Sequence, residues 1–302
     1  MGLPTSVKGP VLIAGILAIA YLGACLFLYF RQNRFIFFPA RVIETTPAEL
    51  QIHYEEVWIP VREKSGKVER IHGWWIPSEI PSNRVLLYLH GNGVNIGANV
   101  NHAARFHQLG FSVLLIDYRG YGLSEGSFPT ENTVFVDAET SWNYLVQDRG
   151  ISPEQIFLYG HSLGGAIAID LALRHPNAAG VIVQSSFTTM REMVDYRFHF
   201  WMFPIDLLLT HRFDSRAKIS QLQIPVLFIH GKADSQIPRE MTEELYHLAS
   251  EPKQLFLVPD AGHNNVASIA GEAYFKAVRE LISVSEGVLP AEISRDEIQS
   301  LR

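Results

Sequence analysis

Tyr159-Gly160-His161-Ser162-Leu163-Gly164-Gly165 sets a serine between two glycines in the pattern Gly-x-Ser-x-Gly. The flanking segments give that spacing its meaning. Gln155-Ile156-Phe157-Leu158-Tyr159 reads as a short buried strand, and Ala166 to Leu173 reads as a helix. Ser162 is therefore expected on a strand-to-helix turn, which strains the serine backbone and lifts its hydroxyl clear of the sheet. Gly160 and Gly164 lack Cβ atoms, so neighbouring backbone can approach closely. The following helix aims backbone N–H groups and a positive dipole end at the serine. A serine hydroxyl is a weak nucleophile until a base takes its proton, and the usual base is a histidine oriented by a carboxylate. His230-Gly231-Lys232-Ala233-Asp234 follows one apolar run, and Ala261-Gly262-His263-Asn264 follows the last one. Both positions are the C-terminal ends of expected strands, where open parallel sheets place their sites. Asp234 is the expected acid and His263 the expected base. Asp260 is the rival acid, three residues before His263.

An acyl-transfer reaction also needs donors for the developing oxyanion. Leu163 N–H, next after the nucleophile, is one. The second is expected from the turn after the strand Val85–Leu89, where His90-Gly91-Asn92-Gly93 makes Asn92 N–H the candidate. An ordinary glycine-rich loop is the plainer reading of that turn.

These residues need a frame that holds them together. Tyr54 to Pro60 and Val68 to Ile76 read as two strands joined by a turn at Lys64-Ser65-Gly66, with the imperfect alternation expected where both faces pack. From Val85 the pattern becomes strand, turn, helix, repeated. Strands are expected at 85–89, 112–116, 155–159, 180–183, 226–229 and 254–258, with helices at 99–109, 131–147, 166–173, 239–249 and 271–282. Alternation of this kind implies right-handed crossovers and a mostly parallel sheet covered on both faces. The segment Phe187 to Ile219 breaks the rhythm. Its aromatic stretch, Phe198 to Leu209, suits either a cap over an apolar pocket or a crossover helix packed on the sheet.

Hydrophobic residues make up 47% of the 302 and charged residues 19%, enough apolar mass for a large core. A net charge of −6 argues against a nucleic-acid partner. One cysteine permits neither an internal disulfide nor a cysteine-rich metal site. No histidine pair has metal-ligand spacing with a carboxylate on the same helix face, so no metal or cofactor is expected. His90, His161 and His230 are expected to satisfy local backbone groups at strand ends; His102, His107, His175 and His247 are expected to be solvated on helices.

Val11 to Phe30 carries no charge and, at about 1.5 Å per residue, spans roughly 30 Å, the thickness of a bilayer core. It reads as an uncleaved single-pass anchor. A cleaved signal peptide fits less well, because the apolar run exceeds the usual length. Leu22-Gly23-Ala24-Cys25 resembles a lipobox, but the apolar run continues past Cys25, which otherwise reads as a small apolar residue in a membrane helix. Lys8 precedes the run, and Arg31, Arg34 and Arg41 follow it, a bias that places the remaining chain on the cytoplasmic side. Residues 34–39, aromatic and basic, suit either the membrane interface or an edge packed on the domain. The expected organisation is 1–34 tail and anchor, 35–284 catalytic domain with 187–219 a cap insertion, and 285–302 a polar tail.

Five motifs together carry a family resemblance: His90-Gly91-Asn92-Gly93, Asp117-Tyr118-Arg119-Gly120-Tyr121-Gly122-x-Ser124, Gly160-His161-Ser162-Leu163-Gly164, His230-Gly231-x-x-Asp234 and Gly262-His263. The sequence resembles the α/β-hydrolase superfamily over roughly 35–282, in particular its serine aminopeptidase-like and monoacylglycerol-lipase-like branch and that branch's single-pass membrane members. The resemblance implies an eight-stranded, mostly parallel sheet with nucleophile, acid and base at Ser162, Asp234 and His263. It does not fix the substrate, because the branch includes esterases, lipases, thioesterases and peptidases; the anchor, which sets the site near lipid, and the aromatic insertion, which suits acyl chains, point to a serine hydrolase acting on esters or thioesters of apolar acyl chains, with a small-molecule or lipid substrate. A peptidase and an acyltransferase use the same machinery; a non-catalytic membrane scaffold is the alternative from another class.

Overall fold

The computed structural model describes residues 5–63, 66–198 and 200–288. The turn expected at Lys64-Ser65, His199 of the aromatic stretch and the tail beyond Val288 lie outside the described residues. A long apolar helix α1 (Thr5–Arg31) and a single turn α2 (Asn33–Ile36) come first, followed by strands β1 (Glu55–Arg62) and β2 (Val68–Ile76). Strands and helices then alternate: β3 (Val85–Leu89), α3 (Val100–Gln108), β4 (Ser112–Ile116), α4 (Glu131–Asn143), β5 (Ile156–His161), α5 (Leu163–Arg174) and β6 (Gly180–Gln184). An insertion of three short helices follows, α6 (Met190–Phe198), α7 (Ile205–Leu208) and α8 (Ser215–Ile219). The chain closes with β7 (Val226–Gly231), α9 (Arg239–Leu248), β8 (Lys253–Val258), α10 (Val266–Ala270) and α11 (Glu272–Ser285).

The strands form one eight-stranded sheet in the order β1-β2-β4-β3-β5-β6-β7-β8. β1–β2 and β2–β4 are antiparallel; the other neighbours are parallel. Central strands bury both faces because successive side chains point opposite ways. Leu87, Leu89, Leu114 and Leu158 enter one core with Val134 and Ala138 of α4 and Ile167 of α5. Leu86, Tyr88, Leu115 and Tyr159 enter the other with Phe106 of α3 and Tyr274 and Val278 of α11.

The register aligns the C-terminal ends of the strands. Leu89 pairs with Gly160, Gly160 with Val183, and Gly231 with Val258. β3 and β5 are neighbours whose following connections leave in opposite directions, to β4 and to β6. This is a topological switch point, where the two departing loops open a crevice above the sheet edge.

Two boundaries differ from expectation for physical reasons. β1 alternates cleanly, with Val57, Ile59 and Val61 buried, because it is an edge strand with one face in solvent. α4 stops at Asn143 and continues as a wider π-type turn, Tyr144–Asp148, instead of running as one helix to Gln147. Within residues 34–39, Ile36 and Phe37 are buried, as the packed-edge reading expects, while Phe35 and Phe38 are exposed.

Candidate active site

Ser162 occupies the turn between β5 and α5 with φ 55° and ψ −119°, a left-handed conformation that a serine adopts only under constraint. The constraint is visible on both sides. Its N–H donates to Gln184 O at 2.9 Å, and its carbonyl accepts from Gly165 N–H at 3.0 Å and Ser186 Oγ at 2.8 Å. A Cβ on Gly164 would lie 2.0 Å from Leu89 O, and one on Gly160 would lie 2.2 Å from Gly164 O, so only glycine fits either position.

Asp234 follows β7 and is fully buried at its side chain. Its Oδ2 accepts from His263 Nδ1 at 2.7 Å, and its Oδ1 accepts from the N–H groups of Gln236 at 2.7 Å and Ile237 at 3.0 Å. Burial works against the carboxylate, but hydrogen bonds from His230 and His263, the His263 charge and the Ile237 N–H outweigh it, holding the carboxyl well below the usual range. The rival Asp260 is exposed in a left-handed turn. His263 in turn sits in the loop after β8, where Gly262 N–H donates to Asn265 Oδ1 at 2.7 Å.

Ser162 and His263 border one cavity of about 330 Å³, together with Leu163, Asn92, Gln236 and Ile237. Leu163 is the first residue of α5, so its N–H has no partner within the helix. Asn92 is held from three directions. Its Nδ2 donates to Ile36 O at 2.7 Å, and its carbonyl accepts from Phe38 N–H at 3.0 Å and Tyr121 OH at 2.8 Å. The strap leaving α2 and the tyrosine of the Asp117–Ser124 motif thus fix the Asn92 side chain and the peptide that follows it, while His90 Nδ1 donates at 2.6 Å to Gly91 O of the peptide that carries Asn92 N–H. The insertion supplies the cavity's apolar wall, Phe187, Met190, Met193, Val194 and Phe198, with Arg197 on the same lining.

The Asp117–Ser124 motif builds the floor under this loop. Tyr118 OH donates to His90 O at 3.1 Å, and Asp117 Oδ1 accepts from Ile96 N–H at 3.0 Å. Arg119 is anchored by Asp137, at 2.7 Å from Nε, and by Glu69, at 3.0 Å from Nη1.

The histidines depart from expectation in several places. His161 Nε2–H donates to His263 O at 3.1 Å, a partner 102 residues away, not a local one. Burial first, and the neighbouring His263 second, push its pKa down to about 3. His102 is not solvated: it stacks on His161 with centroids 6.4 Å apart, and burial pushes its pKa down to about 4. His175 stacks on Trp142 and meets Glu139 at 3.0 Å, and His107 donates to Pro77 O at 3.0 Å. These rings have apolar or backbone neighbours brought by the tertiary fold, which helix position alone does not reveal. His90 and His230 satisfy local backbone groups as expected, donating to Gly91 O at 2.6 Å and to Ile237 O at 3.1 Å, and His247 is exposed. Among the described residues no group of three or more His, Cys, Asp or Glu side chains is arranged to hold a metal.

A family model described as serine aminopeptidase, S33, matches residues 81–214. An uncharacterized Mycobacterium tuberculosis protein, Rv2307c, is 32% identical over 273 residues, covering 90% of this chain and 94% of its own. Protein bem46 of Schizosaccharomyces pombe is 30% identical over 275 residues, covering 88% and 90%. Among solved structures, the Pyrococcus furiosus esterase Pf2001 superposes with a TM-score of 0.68 at 21% identity, over 82% of this chain and 98% of that one. The acylaminoacyl peptidase of Pyrococcus horikoshii superposes with a TM-score of 0.59 at 16% identity, over 83% and 44%. With its sheet order, its serine turn and relatives alike along nearly their whole length, the chain belongs to the α/β-hydrolase superfamily.

Proposed function

We propose that this protein is a membrane-anchored serine hydrolase that cleaves ester or thioester bonds of apolar acyl substrates. The observation that carries the reading is the 2.7 Å contact of His263 Nδ1 with buried Asp234, beside a strained Ser162 in the same apolar-walled cavity. In this mechanism His263 Nε2 takes the Ser162 proton as Oγ attacks the acyl carbonyl carbon. Asp234 holds the Nδ1–H tautomer and stabilises the imidazolium. Leu163 and Asn92 N–H groups receive the oxyanion. Collapse of the tetrahedral species passes the proton to the leaving alcohol or thiol and leaves an acyl-serine, which water, activated by the same imidazole, hydrolyses. No metal or cofactor enters this scheme.

An apolar acyl chain suits the cavity. A second, smaller cavity of about 50 Å³ shares Phe35, Ile36, Val194 and Phe198 with it and adds Leu28 of α1 and Leu208 and Leu209 of the insertion. We read residues 187–219 as a cap and α1 as a single-pass anchor. Cys25 is buried within a helix unbroken from Thr5 to Arg31, which favours the anchor over a lipoprotein signal. The charge bias across α1 favours a cytoplasmic domain. The aminopeptidase alternative needs a carboxylate for the substrate amine. Glu192 pairs with Arg216 at 2.6 Å and Asp195 pairs with Arg191, and neither lines the cavity.

A fluorophosphonate probe should label the wild type and not Ser162→Ala, while the variant keeps its thermal stability. A panel of acyl esters, acyl thioesters and peptide amides should then show turnover of the first two. Labelling of Ser162→Ala, or turnover of amides alone, would overturn the proposal.

A further inference from the structure

α1 meets the insertion along a single stripe. Tyr21 stacks on Phe203 with ring centroids 5.7 Å apart and planes within 1°, and its hydroxyl donates to Met202 O at 2.8 Å. Cys25, one turn on, is buried. Leu28 lines the small apolar cavity with Val194 and Leu208. Gln32 donates to Leu208 O at 3.2 Å and accepts from Thr210 N–H at 2.8 Å. Positions 21, 25, 28 and 32 repeat at the four-and-three spacing of one helix face.

The stripe converts directly into depth. Gln32 lies just past the charged end of α1, and Tyr21 lies eleven positions earlier, roughly 16 Å along the axis. A bilayer core is about 30 Å thick. The insertion therefore follows α1 from the membrane surface to about the middle of the span. The residues at its far end fit that depth. No Asp, Glu, Lys or Arg stands between Phe198 and Asp206. Trp201 is 85% exposed and Met202 59% exposed, an apolar display that water disfavours. The charges return past the tip at Asp206, which pairs with Arg191 at 2.8 Å and accepts at its carbonyl from Arg212 Nη2 at 2.6 Å, in the same short helix as Leu208, whose carbonyl accepts from Gln32.

We infer that the tip of the insertion, Phe200–Pro204, is immersed in the lipid hydrocarbon alongside α1, with Trp201 and Met202 facing acyl chains. The partner is the bilayer itself. The inference rests on α1 spanning that bilayer, and it extends the membrane contact from one helix to the insertion whose other residues wall the Ser162 cavity.

The test uses the full chain in vesicles of phosphatidylcholine brominated midway along one acyl chain, compared with unbrominated vesicles. Trp74, Trp75 and Trp142 are buried in the sheet domain and Trp58 stacks with Arg70, so Trp201 is the tryptophan placed to meet bromine. Wild-type emission should fall in the brominated vesicles, and Trp201→Phe should abolish that fall. Trp201 lines neither cavity and is exposed, so the variant keeps its fold. Vesicle flotation separates the two claims. Protein that floats but shows no quenching, or quenching unchanged by Trp201→Phe, overturns immersion alone. Protein that does not float overturns immersion and anchor together.

Discussion

Asp234 is fastened by two backbone N–H groups as well as by His263, so it acts as a fixed point against which the imidazole is aligned. Replacing it with Asn leaves the shape and removes the charge that selects the Nδ1–H tautomer. Asp234→Asn should lower kcat by on the order of 10⁴-fold with little change in KM. Asp260→Asn, an exposed site, should change it little; steady-state kinetics on one soluble ester separates the two, and equal losses would return Asp260 to candidacy. His161 governs a different property. Its folded pKa is about 3 against an ordinary 6.5, so the unfolded chain binds a proton there that the folded chain does not. Its contribution to stability is present above pH 6.5 and is lost as pH falls from 6.5 toward 3, at up to about 1.4 kcal/mol per pH unit. Thermal denaturation in detergent should show Tm falling over that window, with a shallower fall in His161→Gln; an identical slope would remove His161 from the account. The Ser162 turn and the Asp234–His263 contact were legible in the sequence because apolar runs ending in those residue types mark strand ends that face one another. His161 was not, because its partner is 102 residues away and nothing local marks it.

The central strands were legible as elements because their interiors are unbroken apolar runs; β3 and β4 have the expected bounds. Less legible was how one element supports another. Tyr121 belongs to a motif plain in the sequence, yet its role appears only when its hydroxyl is seen on Asn92 O, 29 residues earlier. Tyr121→Phe should lower kcat roughly fivefold, the worth of about 1 kcal/mol of hydrogen bonding, with KM nearly unchanged. A variant altered only in Tm would assign the tyrosine to folding and not to the loop. The α1 stripe did leave a trace: Tyr21 and Cys25 stand out from their apolar neighbours at helical spacing. Without a partner surface, that trace does not distinguish packing from chance.

At the scale of the whole molecule, one continuous stretch joins the N-terminal apolar helix, the insertion and the Asn92 loop: Gln32 holds Thr210, and Ile36 and Phe38 hold Asn92. Truncation should therefore act as a step. A chain starting at Arg31 should be far less membrane-bound yet keep its turnover of soluble short-chain esters. One starting at Glu44 loses the strap and should fall tenfold to a hundredfold in kcat, on the order of a weakened oxyanion donor. A gradual decline across the two cuts would argue against the strap. The two cavities, which share the wall formed by Phe35, Ile36, Val194 and Phe198, carry one more consequence. If α1 is the proposed anchor, a substrate that reached Ser162 past Leu28 and Phe198 would be drawn from the lipid phase, and the relevant concentration would be a mole fraction in two dimensions. Adding inert lipid at constant total substrate would slow such an enzyme by surface dilution. The same enzyme would be indifferent to the volume of water around the vesicle.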